Sequence, residues 1–219
     1  MSESKVSLVF KMGDRLNVAE NILEKADALF NKYGIRSISM DEIARELGIS
    51  KKTIYQYFKD KDDIVYQITR NTIEKDKSEF EAATQQSSNL ISALLQMSKC
   101  LRENFNKINP SLIFDVQKYH PRSWSLWIDY KNDFIYNTIL NTLERGKMEG
   151  IFRPEINPEI LATFRIEQVQ MSFDEKIFPR NKFDFKEVQL ALFDHFVHGI
   201  LTSKGQKIFD DLTKTKGNA

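Results

Sequence analysis

The chain has 219 residues, 41% of them hydrophobic and 29% charged, which suits a packed globular core and excludes wholesale disorder. Thirty-two Lys and Arg against 31 Asp and Glu leave a formal charge of +1, so the molecule is no polycation and any nucleic-acid site must come from local charge. A single cysteine, Cys100, excludes an intrachain disulfide framework and fits a reducing cytoplasm. Met1–Lys11 lacks the apolar run of a signal peptide, and no stretch reaches the ~18 apolar residues of a membrane span.

Residues 1–14 read as a flexible arm or a frayed helix start. From Arg15 to Tyr33 the spacing is helical: Val18, Ile22, Ala26, Leu29 and Tyr33 share one face, and Gly34 ends the run. Ser39-Met40-Asp41-Glu42 has the form of a capping box opening a second helix, which Gly48 breaks. Ser50 caps a third helix with Ile54, Tyr57 and Phe58 as anchors, Phe58 as core. After a break at Lys59–Asp62 a longer helix carries Ile64, Val65, Ile68 and Ile73, and Thr84–Asn89 reads as a loop. Helices are then expected over Leu90–Ile108, Ser111–Tyr119, Arg122–Met148, Pro158–Ile177 and Phe185–Leu201. No alternating strand and no internal repeat appears. The expected class is all-α: a helix-turn-helix domain over 15–75, a larger helical domain over 76–213, and a frayed tail over 214–219.

The informative segment is Met40–Lys61, MDEIARELGISKKTIYQYFKDK. Two short helices meet at Gly48-Ile49-Ser50, where a sharp turn needs a residue tolerant of positive φ. The second helix of such a unit enters the major groove by its N-terminal end. That end carries Lys51, Lys52, Thr53 and Gln56, and Gly48–Lys61 holds four lysines against Asp60 alone. Lysine reaches guanine acceptors, glutamine an adenine edge, and the threonine methyl a thymine methyl. The Tyr55 and Tyr57 hydroxyls suit phosphate oxygens, which position without reading sequence.

The segment from about Asn17 to Ile68 resembles the DNA-binding region of the tetracycline-repressor (TetR) family of bacterial regulators. The matching residues are Ala26, Phe30 and Gly34, then Ile43-Ala44, Gly48-Ile49-Ser50, Thr53-Ile54-Tyr55, Tyr57-Phe58 and Lys61. The resemblance implies an all-helical homodimer whose divergent second domain binds a small effector. It implies backbone contacts from Thr53, Tyr55, Tyr57 and Lys61, and base-facing roles for Lys51, Lys52, Thr53 and Gln56; with the caps Ser39 and Ser50 these make up the expected DNA-binding set. Ser39 stands where Thr is usual and Lys52 where Gly is common.

Elsewhere the signals are weaker. Phe114, Tyr119, Trp124, Trp127 and Tyr130 form an aromatic-rich zone that reads first as core. The functional reading makes Phe114, Tyr119, Trp124 and Trp127, with Gln168, part of an effector cavity. His195 and His198 have ligand spacing, but a packed pair is the better reading than a metal site, and Cys100 reads as a small buried hydrophobe. Asp62-Asp63 suit a helix N-terminus rather than catalysis. No P-loop, Rossmann fingerprint or nucleophile elbow is present, so no catalytic residue, metal or cofactor is expected. The apolar stripe of 185–201, with 158–177, suggests a four-helix dimer face. The expected function is a cytoplasmic, effector-responsive transcription regulator, a repressor by preference, binding a pseudo-palindromic operator as a homodimer. The alternative is a helical protein-interaction adaptor that has lost DNA binding.

Overall fold

The computed structural model describes the backbone of residues 3–87, 89–107 and 110–214, and the side chains of 17–85, 87, 89–99 and 112–213. In chain order the helices are α1 (Glu3–Tyr33), α2 (Met40–Leu47), α3 (Lys51–Tyr55), α4 (Lys61–Gln86), α5 (Leu90–Lys107), α6 (Pro110–Tyr119), α7 (Pro121–Tyr130), α8 (Tyr136–Met148), α9 (Pro158–Met171), α10 (Phe185–Ile200) and α11 (Ser203–Lys214). A π-helical segment, Lys131–Ile135, joins α7 to α8. The one β-type pairing among the described residues is an isolated antiparallel bridge between Phe152 and Leu201. No described helix is long and apolar enough to cross a membrane.

The local chemistry explains the helix ends. Gly34, Gly48 and Gly150 have φ of 82°, 67° and 66°, the left-handed region that stops α1, α2 and α8 without a Cβ penalty. Asn157 and Asp184 cap α9 and α10 through side-chain oxygens that accept from Ile160 N and Glu187 N. Asp60 accepts from Asp63 N at 2.8 Å and so satisfies a free donor at the start of α4.

The chain packs as two units: Met1–Ile73 with Ile108–Trp127, and Glu74–Lys107 with Ile128–Ala219. The first is built on Ile22, Ala26, Phe30, Ile43, Ala44, Ile54, Phe58, Ile64 and Val65, with Leu112 and Val116 of α6 packed against them. The second is built on Leu90, Ile91, Leu143, Phe152, Ala162, Phe193, Phe196, Val197, Ile200 and Phe209. Phe152 is fully buried, and a Cβ added to Gly146 would lie 1.9 Å from its ring.

Several elements differ from the sequence expectation. The backbone from Glu3 onward is already helical. α4 runs on through Thr84 to Gln86, because nothing in EFEAATQQ breaks a helix. The run expected as one helix over Arg122–Met148 contains the π segment, and the helix starting at Pro158 stops at Met171, where Ser172 caps it. α11 was not expected at all; it covers the second core with Phe209, backed by Ile208 and Leu212. Residues 108–127 pack with the N-terminal unit rather than with the remainder of 76–213. The Cys100 side chain and residues 215–219 lie outside the described residues.

Candidate nucleic-acid interface

Two serines build the interface. Ser39 accepts from Glu42 N at 3.2 Å, and the Glu42 carboxylate accepts from Ser39 N at 2.7 Å, closing the capping box read from the sequence. The same bonds hold the Glu42 carboxyl below its ordinary value of 4.5. Ser50 accepts from Thr53 N at 3.0 Å and shares a 2.8 Å hydrogen bond with the Thr53 hydroxyl. Ile49 N donates back to Ala44 O, which fixes the turn between α2 and α3.

This geometry sorts the DNA-facing candidates. Ile54 and Phe58 point into the first core, while Lys51, Lys52, Tyr55 and Gln56 are exposed on α3 and its C-cap. Thr53 and Tyr57 are half-buried, and Tyr57 packs against the core. Lys51 donates to Asp41 at 2.7 Å; both groups face solvent, so the pair is weak and exchangeable for a phosphate. Lys61 is the departure. Its ammonium donates to Ile35 O at 3.0 Å and Ile38 O at 2.9 Å, clamping the α1–α2 loop to the start of α4. Burial pushes its pKa below that of an ordinary lysine, against the pull of Asp115 and Glu42. Two of its three donors are therefore turned inward, away from the outward role expected of it.

The α6–α7 corner joins the same unit. Buried His120 pairs through Nδ1 with Asp62 Oδ1 at 2.6 Å, and the Arg122 guanidinium lies 3.6 Å from the centre of the Tyr66 ring. No sequence signal marked the His120–Asp62 pair, since the residues lie 58 positions apart.

Residues 22–68 match the family model for bacterial regulatory proteins, tetR family. Over that segment the chain carries the helix-turn-helix DNA-binding domain of the TetR-type transcription regulators. It is 26% identical over 182 residues to the HTH-type transcriptional regulator YvaF of Bacillus subtilis, an alignment covering 83% of this chain and 94% of that one. An HTH-type regulator of Staphylococcus aureus is 42% identical over 55 residues, 25% of this chain and 30% of its own length. Among solved structures, a transcriptional regulator of Saccharomonospora viridis in complex with choline superposes with a TM-score of 0.72 at 21% identity, covering 85% of this chain and 98% of that one. The fatty acid degradation regulator FadR of Bacillus halodurans superposes at 0.64 with 14% identity, covering 82% and 94%. Each of these relatives is a regulator.

The expected effector residues fall in both units. Phe114 and Tyr119 are 54% and 41% exposed on α6, which turns its Leu112 and Val116 inward. Trp124 and Trp127 are half-buried in the first unit, whereas Gln168 is buried in the second. An open cavity of about 230 Å³ in the second unit is lined by Asn132, Tyr136, Thr163, Ile166 and Glu167. The sequence reading missed all five; the signal, polar side chains recurring on helices otherwise rich in apolar residues, is faint. Beside it Lys131 donates to Gln170 Oε1 at 3.1 Å and lies 3.6 Å from Glu167 Oε1. Among the described residues no group of three or more His, Cys, Asp and Glu is placed to hold a metal, and His198 hydrogen-bonds to Gln206 and packs edge-on against Phe209.

Proposed function

We propose that the protein is an effector-responsive repressor that binds a pseudo-palindromic operator as a homodimer and acts in the cytoplasm. The observation carrying this reading is the exposed end of the helix-turn-helix: Lys51, Lys52, Tyr55 and Gln56 stand free of the core on a segment that Ser39 and Ser50 cap rigidly. Lys51, Lys52, Thr53 and Gln56 face base edges, and Tyr55 and Tyr57 reach phosphates. The dimer forms through 158–177 and 185–201. Ile160 and Phe164, one turn apart on α9, are 65% and 48% exposed, apolar surface that a second copy would cover. Two recognition helices then meet successive major grooves about 34–36 Å apart.

A small effector occupies the second domain and favours a different spacing of those helices, with a coupling of about 1–3 kcal/mol. The choline complex of the Saccharomonospora viridis protein supports a ligand of small-molecule size. The Glu167 carboxylate and Tyr136 ring beside the open cavity are suited to an organic cation.

The test is selection of bound fragments from random duplex DNA, then titration of the best duplex with salt. An enriched two-fold motif whose affinity drops steeply with salt supports the reading. Weak binding without a motif overturns it.

A further inference from the structure

We propose that a cluster of exposed cations and aromatic rings, Arg36, Phe114, Lys118 and Tyr119, is a second DNA-contacting surface that grips phosphates outside the segment read by the helix-turn-helix. It rests on the DNA-binding reading above and extends the surface that carries it.

The cluster spans the α1–α2 loop and residues 114–119 of α6. The Arg36 guanidinium lies 4.9 Å from the centre of the Tyr119 ring. The Lys118 ammonium lies 5.3 Å from the Phe114 ring centre and 5.4 Å from that of Tyr119. All four side chains are exposed. A ring face restrains a cation without neutralising it, because the ring carries a quadrupole and no net charge. Among the described residues neither Arg36 nor Lys118 pairs with a carboxylate. Other exposed cations do: Lys51 with Asp41, Lys75 with Glu79, Arg145 with Glu149. In a chain whose charges nearly balance, two unpaired cations fixed on one platform form a local positive site.

Its position within the unit directs it to DNA. Arg36 lies between the two carbonyls, Ile35 O and Ile38 O, that hold Lys61 at the start of α4. Ser39, three residues on, caps α2. At the other end His120, next to Tyr119, pairs with Asp62. Both ends of the cluster are thus fastened to the first turn of α4, the helix that follows the recognition helix after a five-residue link. A guanidinium stacked on a ring keeps its edge donors available, and those donors match a phosphate. Such contacts add affinity and salt dependence but no sequence preference.

The experiment uses the duplex recovered by selection in two lengths. One ends at the enriched motif; the other carries a further helical turn of arbitrary sequence on each side. Binding is followed by fluorescence anisotropy across a salt series for the full chain, for Arg36→Gln/Lys118→Gln, and for Arg36→Lys. The wild type is expected to bind the long duplex with a steeper salt slope than the short one. The double variant is expected to lose about two units of slope per protomer on the long duplex only, and Arg36→Lys to keep it. Equal binding of the two proteins to the short duplex shows that the variant is folded. An unchanged slope on the long duplex, including one accompanied by loss of an acidic protein partner, overturns the proposal; so does an equal loss on both lengths. Failure of the underlying reading is distinct, since selection would then yield no duplex.

Discussion

Ser39 and Ser50 each place one hydroxyl oxygen on a helix N-terminus, and the helix that Ser50 starts carries the proposed base contacts. Ser50→Ala is expected to cost about 1 kcal/mol of stability, measured by thermal denaturation, and to weaken binding to every DNA sequence alike because α3 loses its fixed start. Glu42 makes the Ser39 cap sensitive to acid. Its carboxyl is held below 4.5 in the folded chain, so its contribution is present above the unfolded value and is lost as pH falls through the lowered folded one. In melting curves taken over falling pH, wild type is expected to lose stability more steeply through that range than Ser39→Ala; parallel curves would remove Glu42 from the account. Gln56→Ala is expected to relax preference at one base position, at a cost of about 1–3 kcal/mol on the preferred duplex, read by repeating the selection. Caps and turns of this kind are legible because their chemistry is local: serine, three residues, glutamate; glycine after a helix. The Lys61 clamp is not, since its acceptors are carbonyls 23 and 26 residues away, and any residue type supplies a carbonyl.

Helices whose apolar residues recur with a helical period are legible in order from α1 through α10, with α7 and α8 read as a single run, because periodicity reports burial directly. The departures have physical causes. α4 outruns its apolar stripe on residues that simply permit helix, and α11 is short and polar apart from Ile208, Phe209 and Leu212. The π segment leaves no signature in composition. In the second unit Phe152 packs directly over Gly146, where the ring fills the space that a side chain would take. Gly146→Ala is expected to destabilise the protein by about 1–3 kcal/mol through overpacking, despite alanine's better helix propensity, and denaturant titration would show it. A neutral or stabilising result would mean that Phe152 moves aside freely.

At the scale of the whole molecule the proposed dimer is open to a direct test. Ile160→Glu/Phe164→Glu puts two charges on the exposed apolar face of α9 and is expected to halve the mass seen by light scattering and abolish two-fold operator binding. An unchanged mass would move the interface elsewhere. Domain order was harder to read than domain content: residues 108–127 belong to a unit whose other members end at Ile73, and no linear scan of composition detects that return. The return has a consequence for synthesis. A ribosome delivers the chain from its N-terminus at about 5–20 residues per second, so α1 to α3 emerge well before Leu112, Val116 and the His120 partner of Asp62. The nascent helix-turn-helix therefore waits, with part of its core uncovered, until the thirty-four residues 74–107 of the other unit have followed it out, a window in which a chaperone could engage it and after which it closes.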